Sequence, residues 1–257
     1  MIRVIGILIA VLVFVSCSDD KGTNNPTNNS NAILPVDIGN NWIYESYSLD
    51  SNFNRIRKIG GLDSILVTGT TMKIGKSAAV LSTYTDSNGV YTKTKEDFYY
   101  NDNARLYVHS DYLAGLLPQM VSAFIDFEEQ WLLIADENDN DWTVTEQDID
   151  TVTIIVAKVA GNLTIRGKKS ADKEFIIDGV KVMAKEFILE GKFAGKAVLP
   201  GVPLPFPLDY KVKVHLFFAR GIGLVNSIME TSPFEVPLFI TIPGFKQESN
   251  LIRYKKQ

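Results

Sequence analysis

Apolar and polar residues alternate with a period of two through much of this chain. Tyr210, Val212, Val214, Leu216 and Phe218 are interleaved with Lys211, Lys213, His215, Phe217 and Ala219. That period places the first set on a buried strand face and the second on a wetter one. Val152, Ile154 and Val156 alternate in the same way with Thr151 and Thr153, and Leu163 and Ile165 with Asn162, Thr164 and Arg166. Between TYTDS and VYTKT stands Asn88-Gly89, the pair favoured in a two-residue hairpin because both central residues need positive φ. Asn101-Asp102-Asn103 marks a second break, and Gly161, Gly179, Gly191 and Gly221 punctuate the later strands. Helical spacing is ambiguous only over Asp111 to Phe124, where Pro118 limits it. The pattern predicts an all-β domain of about ten or more strands. A flat sheet of that size would leave long unpaired edges, so it must curl into a curved antiparallel sheet or half-barrel, with a β-sandwich as the alternative.

The first thirty residues break the pattern. Residues 1–16 carry one cation, Arg3, and an uncharged apolar run from Val4 to Val15, too short to span a bilayer comfortably and of the right length for a secretory signal. The run ends in Phe14-Val15-Ser16-Cys17, which resembles the lipobox of bacterial lipoproteins, although Phe14 replaces the usual Leu. The resemblance implies that Cys17, the single cysteine of the chain, is acylated and becomes the mature N-terminus. Residues 17–32 then read as a tether, because SDDKGTNNPTNNSNA has too few apolar side chains to fold. As flexible coil, fifteen such residues reach on the order of 20 Å. Asp19 and Asp20 resemble the acidic signals that send lipoproteins of Bacteroidetes-type bacteria to the outer membrane or cell surface; a solvated linker explains them equally well. These features predict an outer-membrane lipoprotein, facing the periplasm or the cell surface, held to the membrane through Cys17.

Composition narrows the rest. Of 257 residues, 46% are apolar and 22% charged, with a formal net charge of −4, so the bulk is globular and carries no general pull toward nucleic acid. One cysteine excludes an intrachain disulfide and any Cys-cluster metal site, and two histidines leave little for His-based catalysis. His109 and His215 sit in no metal or triad motif and are expected at the surface. There is no Gly-x-Ser-x-Gly elbow, no phosphate loop and no His-Glu-x-x-His. The acidic run from Asp136 to Asp141 departs from the calcium-loop pattern, with Asp141 where glycine belongs and Gln147 where glutamate belongs, and reads as a hairpin turn. No enzyme, cofactor or metal is expected.

Residues 33–257 read as one domain. It opens with Leu34-Pro35, then Gly39-Asn40-Asn41-Trp42-Ile43-Tyr44, which resembles a phrase near the start of many bacterial lipoproteins of undefined function. Physically, Gly39-Asn40 makes a turn and Trp42 is a core plug at the head of a strand. The secretion route and strand order resemble those of half-barrel lipoproteins of the lipid-carrier type, a likeness of architecture alone. Eight of the ten prolines fall in three apolar segments, residues 113–121, 199–208 and 233–245, a mixture odd for solvated loops. The segments either cap the open end of the half-barrel, line an apolar mouth, or touch a membrane or an envelope protein. On the second reading, Leu204, Phe206, Pro207, Phe234, Leu238, Phe239 and Phe245 bind an apolar small molecule. The functional expectation is a non-enzymatic lipoprotein with an apolar or lipid-like ligand, or else a subunit of a cell-envelope assembly.

Overall fold

The structure is a computed structural model that describes residues 32–116, 127–154, 156–202, 204–236 and 240–257. Cys17, the signal segment and the tether up to Asn31 lie outside the described residues, as do Leu238 and Phe239. The strands are β1 (Asn41–Leu49), β2 (Arg55–Lys73), β3 (Lys76–Ser87), β4 (Val90–Asp102), β5 (Arg105–His109), β6 (Trp131–Asp136), β7 (Asp141–Ile154), β8 (Ala157–Lys169), β9 (Lys173–Ile177), β10 (Val180–Val198), β11 (Phe206–Ala219), β12 (Gly223–Thr231), β13 (Phe234–Val236), β14 (Ile240–Ile242) and β15 (Lys246–Lys255). Ser110–Leu116 forms a short 3-10 segment.

Thirteen strands form one antiparallel sheet in the order β6-β5-β4-β3-β2-β1-β15-β12-β11-β10-β8-β7, with β9 paired to the start of β10. The chain is a meander except at its end, where β15 returns to lie between β1 and β12. The sheet curls into a nearly closed barrel, the curved solution expected from the alternation. At the seam, β6 approaches β8 and β10. Trp142 bolts it: the indole lies over Gly167, packs edge-on to Phe187 at 6.3 Å, and donates from Nε1 to the Leu133 carbonyl of β6 at 2.7 Å. A Cβ on Gly167 would stand 2.1 Å from that ring, so only glycine leaves room for the bolt.

The same device recurs deeper in the sheet. Gly161 and Gly195 face each other across β8 and β10, and a Cβ at Gly161 would come within 2.8 Å of the Phe193 ring. Phe193 thus covers backbone that glycine leaves bare, as aromatic residues do beside strand glycines. Gly161 and Gly191 therefore lie inside strands rather than at the breaks expected of them, whereas Gly179 and Gly221 are turn residues with positive φ. Asn88 and Gly89, at φ 57° and 82°, make the expected two-residue hairpin.

Two faces depart from the alternation read in the sequence. Phe217 and Ala219 belong to the outward set of β11, yet both are buried. The β9–β10 hairpin lies against this outer face, with Phe175 5.0 Å from Phe217 in an edge-to-face contact. Val156, expected inside, is 46% exposed because β7 ends at Ile154.

The strand directions sort the connections between two ends. The N-terminal segment and the β2–β3, β4–β5, β6–β7 and β11–β12 turns gather at one end. The strand ends at His109 and Trp131, Val198 and Phe206, and Thr231 and Lys246, which flank the three proline-bearing segments, lie at the other.

Candidate ligand cavity

The first end is plugged by the Leu-Pro…Gly-Asn-x-Trp-x-Tyr phrase. Ile33, Leu34 and Val36 are buried, and the Asn101 side chain clamps Leu34 by accepting its N–H at 3.2 Å and donating to its carbonyl at 2.9 Å. Gly39 adopts φ 94° and donates its N–H to Val67, which lets the chain turn into β1. Asn40 is buried, donating to the Pro35 carbonyl at 3.3 Å and accepting the Gln257 N–H at 3.0 Å. From β1, Trp42 and Tyr44 point inward and donate to the carbonyls of Ile222 and Leu224 on the far wall. Trp42 is the core plug expected of it, stacked on Tyr254 at 5.5 Å. The phrase is a structural device that closes a barrel end.

Above this plug the interior is hollow on one side. A cavity of about 250 Å³ is walled by Trp42 and Tyr44 of β1, Asp63 and Ile65 of β2, Leu81 and Thr83 of β3, and Lys95, Asp97 and Tyr99 of β4. Tyr112 of the 3-10 segment, Ile134, Leu216, Phe218, Leu224, Ser227, Ser249 and Leu34 complete it. A second cavity of about 160 Å³ shares Lys95, Tyr112, Ser227 and Ser249 with the first and extends toward Gly115, Leu116, Met229 and Gln247. Lys95 and Tyr112 border both, and the exposed Lys95 side chain marks where an inner chamber opens toward an outer one on the side of the loop end.

The inner chamber is mostly apolar, with a small polar belt. Lys95 Nζ lies 2.9 Å from Asp97 Oδ1 and 5.1 Å from the centre of the Tyr112 ring. Burial pushes the Asp97 carboxyl above its ordinary value, and Lys95 only partly offsets this. Burial likewise pushes the phenols of Tyr44, Tyr99 and Tyr112 up, so all three stay protonated and can donate. Asp63 Oδ1 accepts from the Thr85 hydroxyl at 2.6 Å, and Ser46 and Ser249 share a hydrogen bond of 3.0 Å. A few convergent polar groups in an apolar hollow are the usual make-up of a small-molecule site.

Of the residues singled out from the proline-bearing loops, the five that are described lie elsewhere. Phe234 is buried edge-on to Tyr210 at 6.1 Å, and Phe206 is half-buried against the core. Leu204 is 73% exposed, Phe245 is 46% exposed, and Pro207 faces solvent. None of the five lines either chamber. Leu113, Leu116, Leu199, Leu208 and Val236 turn into the core from the same loops, and Tyr210 donates to the Leu116 carbonyl at 3.3 Å. In the described residues these segments pack as a cap.

Neither histidine lines either chamber. His109, expected at the surface, is 2% exposed: Trp131 and Phe98 pack on its ring, Asp111 lies 2.9 Å from Nδ1, and Glu129 lies 3.3 Å from Nε2. His215 is on the outer face as expected, 2.6 Å from Glu186. Burial raises the Glu186 carboxyl, but hydrogen bonds from His215 and Ser170 outweigh this, and the net shift is downward. Asp136 is buried in its turn, where Oδ1 accepts the Asn138 N–H at 2.8 Å and Oδ2 accepts from Arg105 at 2.7 Å. Among the described residues no group of three or more metal-ligating side chains occurs.

Sequence reading missed the chamber because its polar wall residues, Asp63, Thr83, Lys95 and Asp97, interrupt the alternation that marks a buried face. A usable signal was present in the spacing of Lys95, Asp97 and Tyr99, all odd-numbered positions of β4.

No protein-family model matches the chain, and no curated protein matches it. Two solved structures are similar to it. A protein from Parabacteroides distasonis ATCC 8503, assigned as a lipoprotein, is 10% identical with a TM-score of 0.47 over 87% of this chain and 98% of that one. A protein from Bacteroides fragilis NCTC 9343, assigned as exported and as having a YmcC-like fold, is 8% identical with a TM-score of 0.42 over 88% of this chain and 99% of that one.

Proposed function

We propose that this is a non-enzymatic lipoprotein of the cell envelope, anchored in the outer membrane by an acylated Cys17, whose barrel holds a small apolar or lipid-like molecule in its inner chamber. The observation that carries the binding role is the hollow itself. It is walled by apolar side chains from several strands with a few convergent polar groups, the usual make-up of a small-molecule site. The apolar run, the single cysteine and the polar tether support the anchor. The described chain begins at the plugged end, so the tether joins the barrel opposite the proline-bearing loops.

Acyl-chain labelling of the protein in its own envelope is expected to mark the wild type and to vanish in Cys17→Ser; label that persists in the variant refutes the anchor. Native mass spectrometry of the protein from that envelope tests the binding role. A bound molecule of a few hundred daltons is expected, and a bare mass refutes retention of a ligand. A second reading, a subunit of an envelope assembly, draws on exposed Leu204 and Phe245 at the end away from the tether. A stable protein partner in the same spectrum would favour it.

A further inference from the structure

The charges inside the inner chamber bear on which head group it accepts, an inference that rests on the chamber being the binding site. Three ionisable groups of opposite sign line it: Asp63, Lys95 and Asp97. The single cation is already engaged, 2.9 Å from Asp97 and close to the face of Tyr112. Asp63 has the Thr85 hydroxyl as its partner and, among the described residues, no cation. It stands directly across the β1–β2 pair from Tyr44, and Trp42 and Tyr99 complete the aromatic wall.

A carboxylate entering this chamber would face two carboxylates and one engaged ammonium. Lys95 is exposed at the chamber mouth, its side chain 42% accessible, and its ammonium already serves Asp97, so an entering carboxylate would share one half-solvated cation with a buried acid and gain little from it. An ammonium meets the reverse situation. Asp63 offers it an unneutralised charge, and tyrosine and indole faces attract cations through their quadrupoles. Size adds a second limit, because a hollow of about 250 Å³ is smaller than the ~300–1,000 Å³ pockets of drug-sized ligands and has no room for a two-chain lipid. We propose that the inner chamber takes a small cationic amphiphile, an ammonium group carried on one short apolar chain or compact ring, with Asp63 as its counter-ion.

The test is a competition on the mature chain carrying Cys17→Ser, so that no acyl chain of its own competes. A neutral fluorescent reporter, N-phenyl-1-naphthylamine, is displaced near neutral pH by decylamine, decanol and decanoate, each below its aggregation threshold. Decylamine is expected to act at a concentration at least ten times lower than decanoate, with decanol between them. Asp63→Asn, which keeps an acceptor for Thr85, should bring decylamine to the decanol value, with decanol as the internal reference for an intact cavity. Lys95→Met should strengthen decylamine, since Asp97 then lacks its partner. Decanoate equal to or better than decylamine, an amine advantage that survives Asp63→Asn, or a weaker amine in Lys95→Met would each overturn the assignment. If the reporter does not bind saturably, the cavity reading fails and this proposal with it; if it binds and the three compete equally, only the head-group assignment fails.

Discussion

The two sides of the barrel wall are built to different specifications. On the side of β7, β8, β10 and the first half of β11, the inward positions include Leu163, Ile165, Phe187, Leu189, Phe193, Tyr210 and Val212, all buried. Two aromatic rings pack against strand glycines there, and none of these seven residues lines either chamber. On the side of β1 to β4, β12 and β15, the inward positions include Ser46, Asp63, Thr83, Lys95, Asp97, Ser227 and Ser249, and the interior is hollow. The same sheet thus holds a packed half that supplies stability and an open half that gives up packing. Polar groups facing a dry, filled core would cost several kcal/mol. Facing a chamber, they can be met by a ligand.

The sharpest way to break this contrast is to hollow out the filled half. Phe187 is fully buried against Trp142 and Phe218, so Phe187→Ala should cost about 3–5 kcal/mol in chemical denaturation. A loss below ~1 kcal/mol would mean that this half is not the load-carrying core. The converse change fills the hollow. Ser227 borders both chambers, and Ser227→Leu should leave stability within about 1 kcal/mol of wild type or raise it, because the added methylenes occupy existing space. A loss of several kcal/mol would show that the space is not there.

A smaller effect separates the halves by pH. Glu186, on the outer face of the filled half, is held below its ordinary value of 4.5, so its contribution is present above that value and lost as pH falls through the folded value. Asp97, in the hollow half, is held above its ordinary value, so its contribution has the opposite sign: present at low pH and lost as pH rises through the folded value. Glu186→Gln should therefore cost up to about 1 kcal/mol near pH 7 and almost nothing near pH 3, as read by urea melts at both. An equal loss at the two would remove the His215 pair as its cause.

The filled half was the legible one. Of the runs whose alternation announced strands, Leu163–Ile165, Val152–Ile154 and the Tyr210–Val212 part of β11 belong to it, because a packed wall needs apolar residues at every second position. The hollow half wrote no such signal: Asp63, Lys95 and Asp97 sit at inward positions where alternation demands apolar side chains. Other gaps have their own causes. Phe217 looked outward in its strand and is outward, but the distant β9 segment covers it, a tertiary contact that no local pattern carries. The proline-bearing loops were recognised as unusual from composition alone, yet which of their apolar residues turn inward depends on the barrel end they meet. Leu204 and Leu208 are four residues apart, one exposed and the other in the core.

Saturable uptake of a neutral apolar reporter, compared between the Cys17→Ser mature chain and the same chain with Ser227→Leu, tests the hollow half most directly. The expected result is one-to-one binding in the first and its loss in the second, with both equally folded by near-ultraviolet circular dichroism. Equal binding by the two chains, or none by the first, would contradict a ligand chamber in this half of the barrel.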